Sequence, residues 1–94
     1  MPVAKLVDNP EGTAEAYEAV RARIGLEQPV GSILHVAGPG PNGGFRVIEL
    51  WGSREEAGRS IREHLRPAFE AAGIPGPSAP PQFWPVPNLM RWAD

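Results

Sequence analysis

One segment, residues 31–51 (GSILHVAGPGPNGGFRVIELW), limits the fold more than any other part of the chain. Two runs rich in β-forming residues flank a loop of Gly, Pro and Asn, which is typical of a β-hairpin. Both strands are mostly apolar on each face, and a strand of this kind is normally covered on both sides. We therefore expect helices on one face of the hairpin and a second layer on the other.

The segments around the hairpin predict a small α+β sheet. An apolar strand at residues 2–7 and a helix starting near Thr13 precede it, and the S-x-x-E capping box of Ser53 and Glu56 predicts a second helix after it. Pro67 should kink or divide that second helix. Residues 74–87 contain six prolines, which indicates an extended connector, and residues 88–92 are the predicted last strand.

The predicted element order is therefore βαββαβ, a ferredoxin-like arrangement with a four-stranded antiparallel sheet, in a single domain spanning residues 1–94.

Composition excludes several classes of function. Nine basic and eleven acidic side chains are interspersed and give a net charge of −2, which argues against nucleic-acid binding. Without cysteine there is no disulfide, thiolate nucleophile or Cys-ligated zinc, and two histidines leave little for a metal centre. The sequence shows no signal peptide or membrane span, so we expect a cytoplasmic protein. A chain of 94 residues buries a modest core, which favours a homodimer.

The register of the hairpin decides which polar side chains meet. If Gly38 lies opposite Gly44, the alternation of side chains places His35, Glu49 and Trp51 on one face of the sheet. A shift by one residue would separate this group.

The hairpin also carries a resemblance to a known family. The pattern H-V-A-G, followed by G-G-x-R-V-I-E-L-W-x-S-x-E, and the later P-x-P-N-L-M resemble the dimeric α+β barrel proteins of the antibiotic-biosynthesis-monooxygenase-like superfamily, and the resemblance covers almost the whole chain. It implies two ferredoxin-like subunits packed sheet against sheet, with a pocket between sheet and helices in each. Members include cofactor-free oxygenases, polyketide cyclases and haem-degrading enzymes; this chain departs from the haem-degrading pattern because its second helix has no tryptophan.

Three titratable residues are the catalytic candidates: His35, Glu49 and His64. Histidine exchanges protons near neutral pH, and desolvation in an apolar strand would raise the pKa of Glu49 into the range of a general acid or base. The plainer alternatives are a hydrogen-bonded structural His35, a half-exposed His64, and a Glu49 paired with Arg46, with Arg91 or with His35.

Aromatic and aliphatic side chains are the candidates for substrate binding, with core or interface packing as the alternative for each. They are Tyr17, Trp51, Ile61, Leu65, Phe83 and Trp84. No cofactor or metal is expected. The sequence thus favours a cofactor-independent monooxygenase or cyclase of bacterial secondary metabolism that acts on a hydrophobic, polyketide-like molecule, and the competing hypothesis is a non-catalytic binding or accessory protein of a biosynthetic pathway.

Overall fold

The structure is a computed structural model that describes residues 1–25 and 27–92. Its elements in chain order are β1 (Val3–Asn9), α1 (Ala14–Ile24), β2 (Ser32–Pro39), β3 (Phe45–Trp51), α2 (Arg54–Ser60), a π-helical turn (Ile61–Leu65), α3 (Arg66–Ala72) and β4 (Gln82–Pro85). The strands form one antiparallel sheet in the order β2-β3-β1-β4. The predicted ferredoxin-like α+β fold is therefore confirmed.

Side-chain caps start both helical segments at the predicted residues. The Thr13 hydroxyl accepts a hydrogen bond from the backbone amide of Ala16 (3.1 Å), and the Ser53 hydroxyl accepts one from that of Glu56 (3.1 Å). Each cap satisfies an amide that the first turn of a helix leaves without a partner. These short-range bonds fix the residue at which each helix begins.

Pro67 interrupts the second helical segment without ending it. A proline inside a helix lacks the amide hydrogen and its ring crowds the carbonyl group four residues earlier. The chain adapts with the π-helical turn that ends at Leu65, two residues before Pro67, where the amide of Arg66 donates to the carbonyl of Ile61. Gly73, at φ 69°, then ends α3 in the left-handed conformation.

The last strand lies earlier than predicted. Residues 82–85, inside the proline-rich segment, pair with β1, with Lys5 opposite Phe83 and Val3 opposite Pro85. Residues 88–92 form no strand, so that prediction is wrong. The reason is that β4 is an edge strand, and an edge strand tolerates proline because one side of its backbone has no strand to pair with.

The helices cover only one face of the sheet. The core between them includes the buried side chains Val20, Trp51, Ala57 and Ala68. On the opposite face, which we call the outer face, large apolar side chains from three strands are exposed by 37 to 52%: Leu34, Val36, Ile48 and Trp84. The described part of the chain thus supplies one of the two layers predicted for the hairpin. None of its helices has the length and apolar character needed to cross a bilayer.

Candidate functional site

A cavity of about 400 Å³ lies between the sheet and the helices. Its walls are mainly aliphatic and aromatic, with a few polar groups, which is the usual character of a site for a small organic molecule. The apolar lining residues include Val7, Val20, Ile24, Ile33, Phe45, Val47, Trp51, Ile61, Leu65, Phe69 and Ile74, and the polar ones include Lys5, Tyr17, His35 and Glu49.

Three of these polar side chains form a hydrogen-bonded chain. Glu49 Oε2 lies 2.8 Å from His35 Nδ1, and Tyr17 Oη lies 2.6 Å from His35 Nε2. A carboxylate only accepts hydrogen bonds, so Nδ1 carries the hydrogen that faces Glu49. In a neutral imidazole Nε2 is then the acceptor for the Tyr17 hydroxyl, and this nitrogen is placed to take up a proton.

The register of the hairpin differs from the predicted one by two residues. Gly38 does not lie opposite Gly44, because the Gly44 carbonyl accepts a hydrogen bond from the amide of Gly40 inside the loop (3.1 Å). Side chains alternate with a period of two, so a displacement of two residues returns each of them to its predicted face. His35 therefore lies directly opposite Glu49.

Glu49 is held as an anion by three donors. Lys5 Nζ (3.2 Å) and Trp51 Nε1 (3.0 Å) contact Oε1, while His35 contacts Oε2. Burial pushes the pKa of Glu49 up, but the hydrogen bonds from these three side chains and the charge of Lys5 outweigh burial and lower the pKa to about 2. The predicted raised pKa is thus wrong, and at neutral pH Glu49 orients His35 and does not supply a proton.

Of the alternative partners proposed for Glu49, His35 is the one that the structure confirms. Arg46 instead forms a bidentate pair with Asp8, at 2.6 and 2.9 Å. That pair is partly exposed, so it has little influence on the cavity.

Tyr17 projects from α1 onto the ring of His35. The two rings are stacked with their centroids 5.9 Å apart. The ring of Phe45 also contacts that of Tyr17, with a centroid distance of 4.9 Å. Burial, together with the charges of Glu18 and Glu49, raises the pKa of the Tyr17 phenol against a smaller opposing effect of Arg21. The phenol is therefore neutral at physiological pH and acts as a hydrogen-bond donor.

Of the three candidate residues in the π-helical turn, two line the cavity and one does not. Ile61 and Leu65 line the cavity, as does Trp51 from β3. His64 is exposed and lies outside the cavity lining, so the structure does not bring it to the site.

The two aromatic residues of β4 also lie outside the cavity. Phe83 is on the helix side of the sheet, but the guanidinium group of Arg54 covers its ring at 4.0 Å from the centroid. Trp84 alternates to the outer face and is 43% exposed. Their predicted role in substrate binding is therefore not supported by their positions.

Lys5 is the polar residue of the site that sequence reasoning missed. It is 4% exposed, in the middle of β1, and is the only lysine in the chain. Buried lysine is rare without a partner. A single lysine inside an apolar strand was the available signal, and the partner, Glu49, lies 44 positions away in the sequence.

Neither a protein-family profile nor a curated protein sequence matches the chain. Solved structures do. An antibiotic biosynthesis monooxygenase-like protein from Chloroflexus aurantiacus aligns with a TM-score of 0.61 at 15% identity, covering 95% of both chains. A mutant of SnoaB, a cofactor-independent oxygenase from Streptomyces nogalater, aligns with a TM-score of 0.57 at 14% identity, covering 95% of this chain and 93% of that one.

A third structure is the monooxygenase ActVA-Orf6 of Streptomyces coelicolor in complex with nanaomycin D. It aligns with a TM-score of 0.53 at 19% identity, covering 97% of this chain and 92% of the other. Similarity at these identities establishes the fold and leaves the chemistry to be argued from the site. By its element order, sheet topology and structural neighbours, the chain has the ferredoxin-like α+β fold of the antibiotic biosynthesis monooxygenases.

Proposed function

We propose that this protein is a small cofactor-independent monooxygenase of bacterial secondary metabolism that acts on a hydrophobic, oxygenated aromatic molecule of polyketide type. The observation that carries the proposal is the Tyr17–His35–Glu49 chain on the wall of a mainly apolar cavity. Two similar structures support it, one a cofactor-independent oxygenase and the other a monooxygenase in complex with nanaomycin D.

The proposed first step is removal of a proton from the substrate. Tyr17 Oη accepts the proton from a phenol or an activated C–H group while its own proton passes to His35 Nε2. The electron pair stays on the substrate, which becomes an anion. The Glu49 carboxylate, 2.8 Å from Nδ1, stabilises the imidazolium ion that forms.

Molecular oxygen is the second substrate. The carbanion form of the deprotonated ring adds O₂ at a C–H position, the peroxide takes the proton back from His35, and loss of water leaves a carbonyl group. One phenol ring and one O₂ then give one quinone and one water, with the substrate supplying the electrons. The same anion would also start a cyclisation by attacking a carbonyl carbon, and the oxygenases among the similar structures favour oxygenation.

An oxygen-uptake assay with anthrone and hydroxynaphthalenes tests this proposal. The wild-type protein is expected to consume O₂ and form the quinone, and Tyr17→Phe is expected to lower kcat by roughly 10²-fold because the relay hydroxyl is lost. Ser60→Ala is the matched control, since it removes another cavity-lining hydroxyl outside the hydrogen-bonded chain and should leave the rate nearly unchanged. Tight binding of these compounds without any turnover would contradict the proposal and favour a binding protein.

We propose further that a second copy of the chain covers the outer face. Exposed Leu34, Val36, Ile48 and Trp84 form an apolar surface on three strands, and surfaces of this kind mark interaction sites. Packing sheet against sheet would bury this surface and complete the two-layer cover that the hairpin sequence predicts.

The dimer is tested by light scattering during size-exclusion chromatography. The wild-type protein is expected to elute with the mass of two chains, and Val36→Asp, at the most exposed of the four outer-face residues, is expected to give the mass of one. Val30→Asp is the matched control, because Val30 is 76% exposed in the turn before β2 and lies outside the strands. A wild-type monomer, or a Val36→Asp variant that stays dimeric, would contradict the proposal.

A further inference from the structure

Lys5 uses only part of its hydrogen-bonding capacity within the described part of the chain. Among the described residues, its ammonium group makes one hydrogen bond, to Glu49 Oε1 at 3.2 Å. An ammonium group has three N–H donors, and leaving donors unpaired away from water is costly. Lys5 is 4% exposed, so bulk solvent does not satisfy the other two.

Lys5 borders two adjoining cavities. It lines the cavity of the candidate site and also a second cavity of about 450 Å³ next to α3 and the proline-rich segment. An acceptor oxygen of a bound molecule is therefore the natural partner for the unused donors.

Lys5 and His35 contact the two different oxygens of one carboxylate, that of Glu49. The proton acceptor and the buried cation thus lie on either side of Glu49 along the cavity wall. The other charged residues lining the cavity of the candidate site are Arg21, whose guanidinium donates to the carbonyl of Gly25, and Glu27.

The cavity is thus lined by two cations and two anions, whose charges sum to zero while His35 is neutral: Lys5, Arg21, Glu27 and Glu49. A ligand that arrives neutral and passes a proton to His35 keeps that balance, because the imidazolium and the new anion cancel. A permanently charged ligand would not keep it. The charge pattern therefore fits a ligand that binds as a neutral molecule and becomes an anion only when His35 takes up its proton.

We propose that Lys5 is the oxyanion-binding residue of the site, and that the substrate is a conjugated aromatic phenol or enolisable ketone with an oxygen atom that faces the Lys5 ammonium and takes up the negative charge when the proton leaves. The proton goes to His35 through Tyr17, and the electron pair is delocalised onto the oxygen held by Lys5. A preorganised cation at the position where charge develops is an effective form of transition-state stabilisation. The inference rests on the proposed function for the reaction, but binding alone tests it.

Lysine-specific NMR of the wild-type protein gives the first test. Because Lys5 is the only lysine, a sample grown with [ε-¹³C]lysine shows a single side-chain signal. 4-Nitrophenol, a weak acid with a delocalised anion, is expected to shift this signal strongly. 4-Nitroanisole, which has the same size and no acidic hydrogen, is expected to shift it much less. Equal shifts, or no shift with either probe, would overturn the proposal.

Absorbance titration of the same probe gives the second test, since the nitrophenolate is yellow. Lys5→Met is expected to weaken binding of the nitrophenolate by about tenfold or more and to leave 4-nitroanisole binding nearly unchanged. Lys5→Arg keeps the positive charge and should therefore bind the nitrophenolate nearly as tightly as the wild type. A parallel loss for both probes would assign Lys5 a purely structural role and overturn the inference. If the lysine signal responds as expected but no substrate is oxidised, the proposed function fails and the oxyanion site stands.

Discussion

His35→Gln is expected to lower kcat for oxygen uptake by roughly 10²–10⁴-fold, the range that a positioned general base contributes. Glutamine has similar polarity and can still hydrogen-bond to Glu49, but it cannot accept the proton that Tyr17 passes on. Binding should survive, because the apolar walls of the cavity are unchanged. The measurement is kcat and KM from oxygen uptake, together with a folding check by near-UV circular dichroism.

The neighbouring carboxylate sharpens this experiment. Glu49→Gln should lower kcat as well, because Glu49 fixes the hydrogen on Nδ1 of His35 and stabilises the imidazolium ion. Asp8→Asn is the matched control, since that carboxylate pairs with Arg46 away from the cavity. A His35→Gln variant that keeps its wild-type rate would contradict the role of His35 as the base, whatever the other variants do.

The parts of the fold that depend on bonds between close neighbours in the sequence were predictable. The capping bonds at Thr13 and Ser53 each join residues three positions apart, and the Gly-rich loop predicts the turn of the hairpin. β4 was not predictable in the same way, because prolines mark a connector unless the segment lies at a sheet edge. Its position depends on pairing with β1, nearly 80 residues earlier in the chain.

The site, too, has features that the local sequence predicts and features that depend on residues distant in the chain. The grouping of His35 with Glu49 was predictable from the alternation of side chains, even though the register differed by two residues. The charge state of Glu49 was not, because His35, Lys5 and Trp51 set it together, and Lys5 reaches Glu49 only through the pairing of β1 with β3. Burial alone predicts a raised pKa; burial with three donors gives a lowered one.

Acid is expected to destabilise the protein through Glu49. The pKa of this carboxyl is about 2 in the folded protein against 4.5 for an ordinary glutamate, so between these values the unfolded chain binds more protons than the folded one. The stabilisation is fully present above about pH 5 and is lost as the pH falls through 2, by on the order of 3 kcal/mol in the free energy of unfolding. Urea unfolding at a series of pH values measures this change.

Glu49→Gln isolates the contribution, because an amide does not titrate. This variant should be less stable than the wild type at neutral pH, where it leaves Lys5 without its anionic partner, and its stability should change much less between pH 5 and pH 2. Asp8→Asn should keep most of the acid dependence, since the Asp8–Arg46 pair is partly exposed and screened by solvent. Parallel loss of stability in the wild type and Glu49→Gln would mean that the folded protein does not hold Glu49 as an anion. In that case the carboxylate could not orient His35 for proton transfer either. The acid titration and the kinetics are therefore two independent tests of the contact between Glu49 and His35.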